Sequence, residues 1–336
     1  MKTSRRTALA GAAAAALIGS GLAASTAQAQ QAPLKVIVFP GLSNLAILSA
    51  QHNGFFAKRN IQIELINTPN STELRNGLAE GRYQIAHAAV DNAVAQIENN
   101  KVEASIVMGG DGGLNLLITQ PEITAIEQFK GKTVVVDAPN TAYAFLLYKM
   151  LKVKGMERGK DYKVNPVGGT GQRLDAMKKD KENVGGMMNP PFSIRAVKQD
   201  GFKSLGSPAA IVGPYQAGGV WVLTKWGKEN QDLLVRYLQA NIEGIRWATN
   251  PANKAAAAGL LADRLKLDAD TAMASLEMGL DAKAGGFARD LAFDMEGFRT
   301  VLSLRAEMEG QWGGKPPAPD KFLDMSYYQK ALAGMK

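Results

Sequence analysis

The chain has 336 residues, with 39 Lys and Arg against 31 Asp and Glu and a formal net charge of +8. That length exceeds one small domain and suits two compact lobes, and 46% apolar with 21% charged residues is a globular balance that excludes wholesale disorder. The absence of cysteine excludes disulfides, thiolate catalysis, thiolate zinc sites and a lipidated cysteine anchor, and two histidines, His52 and His87, are too few for a histidine-based metal cluster.

Residues 1–29 read as an export signal. Lys2, Arg5 and Arg6 form a basic start, Ala8–Ala24 an Ala/Gly/Leu run, and Ala27-Gln28-Ala29 a small-x-small cleavage site. Ser4-Arg5-Arg6-Thr7-Ala8-Leu9 is similar to a twin-arginine signal, with ordinary Sec export the equal alternative. The run is too short and too glycine-rich for a span of about 20 strongly apolar residues. Cleavage after Ala29 takes three positive charges from +8 and leaves +5. No basic stripe with interleaved aromatics is present, which argues against nucleic acid as a partner. The expected mature protein is a periplasmic monomer with no cofactor, since phosphorylated nucleotides are scarce outside the cytoplasm.

In chain order, Leu34–Phe39 is an apolar run predicting a buried strand, and Pro40-Gly41-Leu42-Ser43 turns into a helix to about Asn53 that Ser43 can cap. Ile61–Ile66 alternates as a strand, and Asn70-Ser71-Thr72-Glu73 opens a helix to about Ala79. Tyr83–Ala88 is a strand, and Asp91 or Asn92 can cap the helix after it. Ser105–Met108 and Leu114–Thr119 are further strands, separated by Gly109-Gly110-Asp111-Gly112-Gly113. This β-α-β order implies a mainly parallel sheet between helices. The pattern then restarts with a strand at Thr133–Val136, a helix at Ala142–Lys152 capped by Asn140, and a strand at Asp161–Val167. Gly168–Gly171 leads into a helix near Leu174–Lys179, and Val184–Met188 into Asn189-Pro190-Pro191 and a helix at Ser193–Gln199. Gly219–Leu223 reads as a strand returning to the first lobe, and everything beyond it as helix, with Asn250-Pro251 as one cap.

The expected fold is α/β, with two doubly wound lobes joined by a two-segment hinge: 33–119 plus 218–336, and an inserted 120–217. In such sheets a ligand sits beyond the carboxyl ends of the strands, where helix N-termini also point. The turns there supply the candidate ligand contacts Ser43, Asn44, Asn70, Ser71, Thr72, Asp91 and Asn92 from the first lobe. Asn140, Thr141, Tyr143, Gly169, Thr170, Arg173, Asn189, Phe192 and Tyr215 come from the second lobe and the return. Each polar residue among them has a second reading, as a helix cap or, for Arg173, as a solvated surface charge. Asp91 at the mouth would repel an anion and attract an amine, unless it simply caps its helix.

The ordered set Asn53-Gly54-Phe55-Phe56-Ala57-Lys58, Leu78-Ala79-Glu80-Gly81-Arg82-Tyr83-Gln84-Ile85-Ala86, Phe129-Lys130-Gly131-Lys132-Thr133, Asp161-Tyr162, Asn189-Pro190-Pro191-Phe192 and Gly213-Pro214-Tyr215 resembles a known family. It is that of type II periplasmic solute-binding proteins of ABC importers, in the branch of sulfonate, taurine, nitrate and thiamine-precursor binders. The resemblance implies a receptor that closes on a small molecule and hands it to an inner-membrane permease, whose cytoplasmic ATPase supplies the energy. The expected ligand is a small organic anion such as an alkanesulfonate, taurine or an aromatic carboxylate, with a pyrimidine-type thiamine precursor as the alternative. A sensor domain for a membrane receptor is a further alternative. An enzyme is not expected: the fungal pyrimidine-precursor synthases on this scaffold carry a cysteine-rich motif, which this chain lacks, and no nucleophile–base set is visible.

Overall fold

The computed structural model describes residues 32–335, so the export signal expected over 1–29 lies outside the described residues. The chain opens with β1 (Leu34–Val38), α1 (Leu45–His52), β2 (Ile63–Asn67), α2 (Ser71–Ala79), β3 (Ile85–Ala89), α3 (Asp91–Asn100) and β4 (Ala104–Met108). It continues through β5 (Leu116–Thr119), β6 (Thr133–Val136), α4 (Ala142–Lys152), β7 (Lys163–Pro166), α5 (Thr170–Lys179), β8 (Asn183–Met188), α6 (Phe192–Lys198), β9 (Lys203–Ser204) and α7 (Ala209–Val212). It returns as β10 (Gly218–Leu223) and closes with α8 (Thr224–Glu229), α9 (Gln231–Thr249), α10 (Lys254–Leu265), α11 (Ala269–Leu280), α12 (Met295–Glu309) and α13 (Ser326–Ala333).

These strands build two five-stranded sheets, ordered β2-β1-β3-β10-β4 and β7-β6-β8-β5-β9. In the first, β1 lies parallel between β2 and β3, with Val36 opposite both Leu65 and Ile85. A central strand covered on both faces has no solvent side, which is why Val36-Ile37-Val38 is an unbroken apolar run and is fully buried. The return strand β10 inserts antiparallel between β3 and β4 and carries Trp221 into the core. In the second sheet β6 is the parallel centre, between β7 and β8.

One expectation fails here. The strand within Leu114–Thr119, expected in the first lobe, is β5, which pairs antiparallel with β8 and β9 of the second sheet. The chain therefore crosses at Gly109–Asn115, before that strand and not after it. Apolar character makes a strand, but it does not say which sheet the strand joins.

The final third is helical, as its periodicity predicts. Asn250 accepts the Ala252 amide at 3.0 Å with Pro251 in the first turn, and Asp268 and Asp294 cap α11 and α12 in the same way. Helix α9 packs on α1 at Gly244, where a Cβ would stand 2.1 Å from the Ala46 carbonyl oxygen, so only glycine lets the two backbones meet.

Candidate functional site

The carboxyl ends of both sets of parallel strands face one cleft of about 870 Å³, counting the space open to solvent at its mouth. From the first-sheet side it is lined by Phe39, Ser43 and Asn44 after β1, Ser71 at the start of α2, His87 and Asn92 around the β3–α3 turn, and Met108 to Asp111 after β4. Gly218 and Gly219 of β10 and Leu291 complete that wall. Asp137, Thr141 and Tyr143 between β6 and α4, Gly169, Thr170 and Arg173 after β7, and Asn189 after β8 line the opposite wall.

Local hydrogen bonds fix these groups. The Asn44 side chain donates to the Phe39 carbonyl at 2.7 Å, and Thr141 Oγ1 donates to the Ala138 carbonyl at 2.9 Å. Helix α4 therefore begins without a side-chain cap, and α5 does so because its first flanking residue is Gly169, so both helix starts, which line the cleft, keep amides with no side-chain acceptor. Ser43 does not cap either, because the turn after β1 starts at Gly41. At the rim the two walls touch. The Ser71 amide and hydroxyl both donate to the Asp137 carboxylate, Gly169 N–H donates to the Pro69 carbonyl at 2.9 Å, and Leu42 N–H donates to the Pro190 carbonyl at 3.2 Å.

Arg173 is the charged centre of the second wall. Expected either as a ligand contact or as a solvated charge, it is 2% exposed. Its Nε donates to Met187 O at 3.1 Å, Nη1 to Gly168 O at 2.9 Å and Nη2 to Thr170 Oγ1 at 2.8 Å, all neutral oxygens. Thr170 passes its own proton to Asn189 Oδ1 at 2.7 Å. Burial pulls the guanidinium pKa down, a cost that a carboxylate or sulfonate would offset. On the first wall burial pushes the Asp111 carboxyl up, with Ser43 and the Gly113 amide opposing the shift. His87, bonded to the Tyr237 hydroxyl at 2.7 Å, is pushed down to about 3 by burial and stands neutral.

The other expected contacts lie outside the cleft lining. Asn70 caps α2 by accepting the Glu73 amide at 2.8 Å, and Thr72 is exposed on the first turn of that helix. Asp91 neither caps its helix nor faces the mouth. It is gripped by Arg305, Nε to Oδ1 and Nη2 to Oδ2 both at 2.7 Å, with side chains only 1% and 2% exposed. Asn140 contributes its backbone carbonyl to the same arginine at 3.2 Å. Phe192 packs against Gly171 and the smaller core cluster, and Tyr215 is buried behind the cleft beside Gly113. Conversely, the sequence reading treats Gly109–Gly113 as a separator and passes over Asp111; the signal was the density of glycines around one carboxylate. Among the described residues no group of three or more His, Asp or Glu side chains is arranged to hold a metal ion.

The NMT1-like family profile matches residues 27–262, more than half of the chain. The chain belongs to the NMT1-like family. No curated protein matches the sequence. Among solved structures the chain is similar to the ligand-binding component of an ABC-type import system from Staphylococcus aureus, at 16% identity over 89% of this chain and 98% of that one, with a TM-score of 0.71. It is also similar to the periplasmic nitrate-binding protein NrtA of Synechocystis PCC 6803, at 14% identity, 90% and 89% coverage and a TM-score of 0.72. A third likeness is the alkanesulfonate-binding protein SsuA of Xanthomonas axonopodis pv. citri, at 11% identity, 89% and 97% coverage and a TM-score of 0.68. At these identities the likenesses show the fold, which is the periplasmic binding protein fold, in agreement with the resemblance drawn from the sequence. No helix among the described residues is long and apolar enough to cross a membrane.

Proposed function

We propose that this NMT1-like protein is an extracytoplasmic substrate-binding protein of an ABC import system, taking a small organic anion of the alkanesulfonate, taurine or aromatic carboxylate type into the cleft. The observation that carries the reading is Arg173, a buried guanidinium on the cleft wall whose protein partners are all neutral. Asp137 acts on this guanidinium through space but is hydrogen-bonded to Ser71 instead, so burial still outweighs it, and an acidic ligand group would pair with the guanidinium directly. The apolar Phe39, Met108 and Leu291 suit an organic body. The names of the structural neighbours, a nitrate binder and an alkanesulfonate binder among them, support the same reading.

In this reading the two sheets are lobes that hinge at Gly109–Asn115 and at 213–217. Ligand binding shifts an open–closed equilibrium toward the form in which Ser71 meets Asp137, and the closed form docks on an inner-membrane permease driven by its cytoplasmic ATPase. The site is in the periplasm and the receptor acts as a monomer. The test is calorimetric titration of the protein with alkanesulfonates, taurine and aromatic carboxylates, repeated with Arg173→Met and Arg173→Lys. A charge-assisted hydrogen bond contributes about 1.5–3 kcal/mol, so Arg173→Met should weaken binding by about 10- to 150-fold, with Arg173→Lys in between. Unaltered affinity in Arg173→Met, or no binding by any member of the panel, would overturn the reading.

A further inference from the structure

We propose that the ligand is a zwitterion, its ammonium or amidinium end held by Asp111 and its acidic end by Arg173. This rests on the reading of the cleft as an anion site and adds a second, oppositely charged anchor to it.

The run Gly109-Gly110-Asp111-Gly112-Gly113 has a structural reason. The Asp111 carbonyl accepts the amides of Ala217 at 3.1 Å and Gly218 at 3.0 Å. The neighbouring backbone is tied to the loop before α12 by Gly109 N–H to Leu291 O at 3.1 Å, Ala288 N–H to Gly110 O at 3.0 Å and Gly112 N–H to Gly285 O at 2.9 Å. A Cβ on Gly109 would stand 2.3 Å from Ala292 O, and one on Gly218 would stand 2.5 Å from Asp111 Oδ2. Glycine at these positions thus lets the backbones meet and leaves room for one carboxylate, 3% exposed, in the cleft wall. Gly113 N–H donates to its Oδ1 at 2.9 Å, and Ser43 favours its charge, yet no Lys, Arg or His of the described residues pairs with it.

The remaining titratable groups of the cleft are already accounted for. Asp137 is occupied by the Ser71 amide and hydroxyl, and His87 is neutral against Tyr237. Tyr143 lines the cleft together with Asp111 and Arg173 and feels the charge of both. That leaves one cation and one carboxylate that make no salt bridge, Arg173 feeling Asp137 only through space, on opposite walls, with Phe39, Met108 and Leu291 among the surfaces that line the cleft with them. A plain anion would satisfy Arg173 and leave Asp111 buried and opposed, whereas an ammonium group would pair with it.

The test is calorimetry with matched pairs that differ only in the cationic end: taurine against propanesulfonate, and para-aminomethylbenzoate against para-ethylbenzoate. Wild-type protein should bind the ammonium member of at least one pair about tenfold or more tighter, and Asp111→Asn, nearly isosteric and still able to accept from Gly113, should abolish that preference while still binding the plain anion. The wild-type comparison stands on its own should the variant not fold. Equal or tighter binding of the plain anions by wild type, as a protonated Asp111 donating to the acid would give, or a preference unchanged in Asp111→Asn, overturns the inference and leaves the anion site standing. Binding of neither member of either pair overturns both.

Discussion

Asp91→Asn tests the buried ion pair that ties α3 to α12. Asp91 opens α3 on the first-sheet side and meets Arg305 of α12 in a two-bond pair that excludes water, while the same guanidinium holds the Asn140 carbonyl ahead of α4 and lies 5.1 Å from the centre of the Phe145 ring. Removing the negative charge leaves a buried guanidinium facing neutral oxygens only, that of the new amide together with Asn140 O and Gln311 Oε1, each of the last two at 3.2 Å, and sets the amide NH2 against one of its N–H groups. Breaking a buried pair from one side costs about 3–5 kcal/mol. An unfolding entropy of about 2 cal/mol/K per residue over roughly 300 residues is about 0.6 kcal/mol/K, so the melting midpoint should fall by about 5–8 °C. Differential scanning calorimetry measures this directly. The paired replacement Asp91→Leu with Arg305→Met should recover much of the loss, because apolar residues of similar volume carry no uncompensated charge. Ligand affinity in the single variant should change little, as Asp91 does not line the cleft. A midpoint shift under about 2 °C, or a double variant less stable than the single one, would refute the reasoning.

Two further outcomes are expected. His87 titrates near 6.5 when unfolded and about 3 when folded, so its contribution to stability is complete above pH 6.5 and is lost as pH falls toward 3; between pH 7 and 5 urea denaturation should show up to about 2 kcal/mol more loss in wild type than in His87→Gln. Ser71→Ala removes the hydroxyl that bridges to the Asp137 carboxylate and should speed ligand release by about tenfold or more in stopped-flow measurements, a hydrogen bond to a charged group contributing about 1.5–3 kcal/mol, whereas an unchanged rate would show that the rim contact does not hold the cleft shut.

The parts of this molecule that were legible in sequence are those set by neighbours in the chain. The apolar runs at β1 and β6, the cap at Asn70 and the Asn250-Pro251 start each depend on a few adjacent residues, and each stands where its pattern places it. What was hidden depends on distant partners. The sheet that β5 joins is decided by β8 and β9. Asp91 reads locally as a helix cap because its partner is Arg305, 214 residues on. Arg173 reads as a surface charge because the Met187 carbonyl that helps bury it belongs to another strand. The cleft itself was legible in outline, since strand-to-helix turns of an α/β sheet converge at the carboxyl ends whatever their side chains. Asp111 carries no local signal of this kind, because it follows β4 and no helix begins there.

The account turns on a small acid seated against Arg173, and native mass spectrometry of protein taken directly from the cells that make it tests that most directly. The predicted result is a bound organic acid on the wild-type protein that is absent from Arg173→Met purified in parallel. A non-acidic occupant, or the same acid retained in full by Arg173→Met, would contradict it.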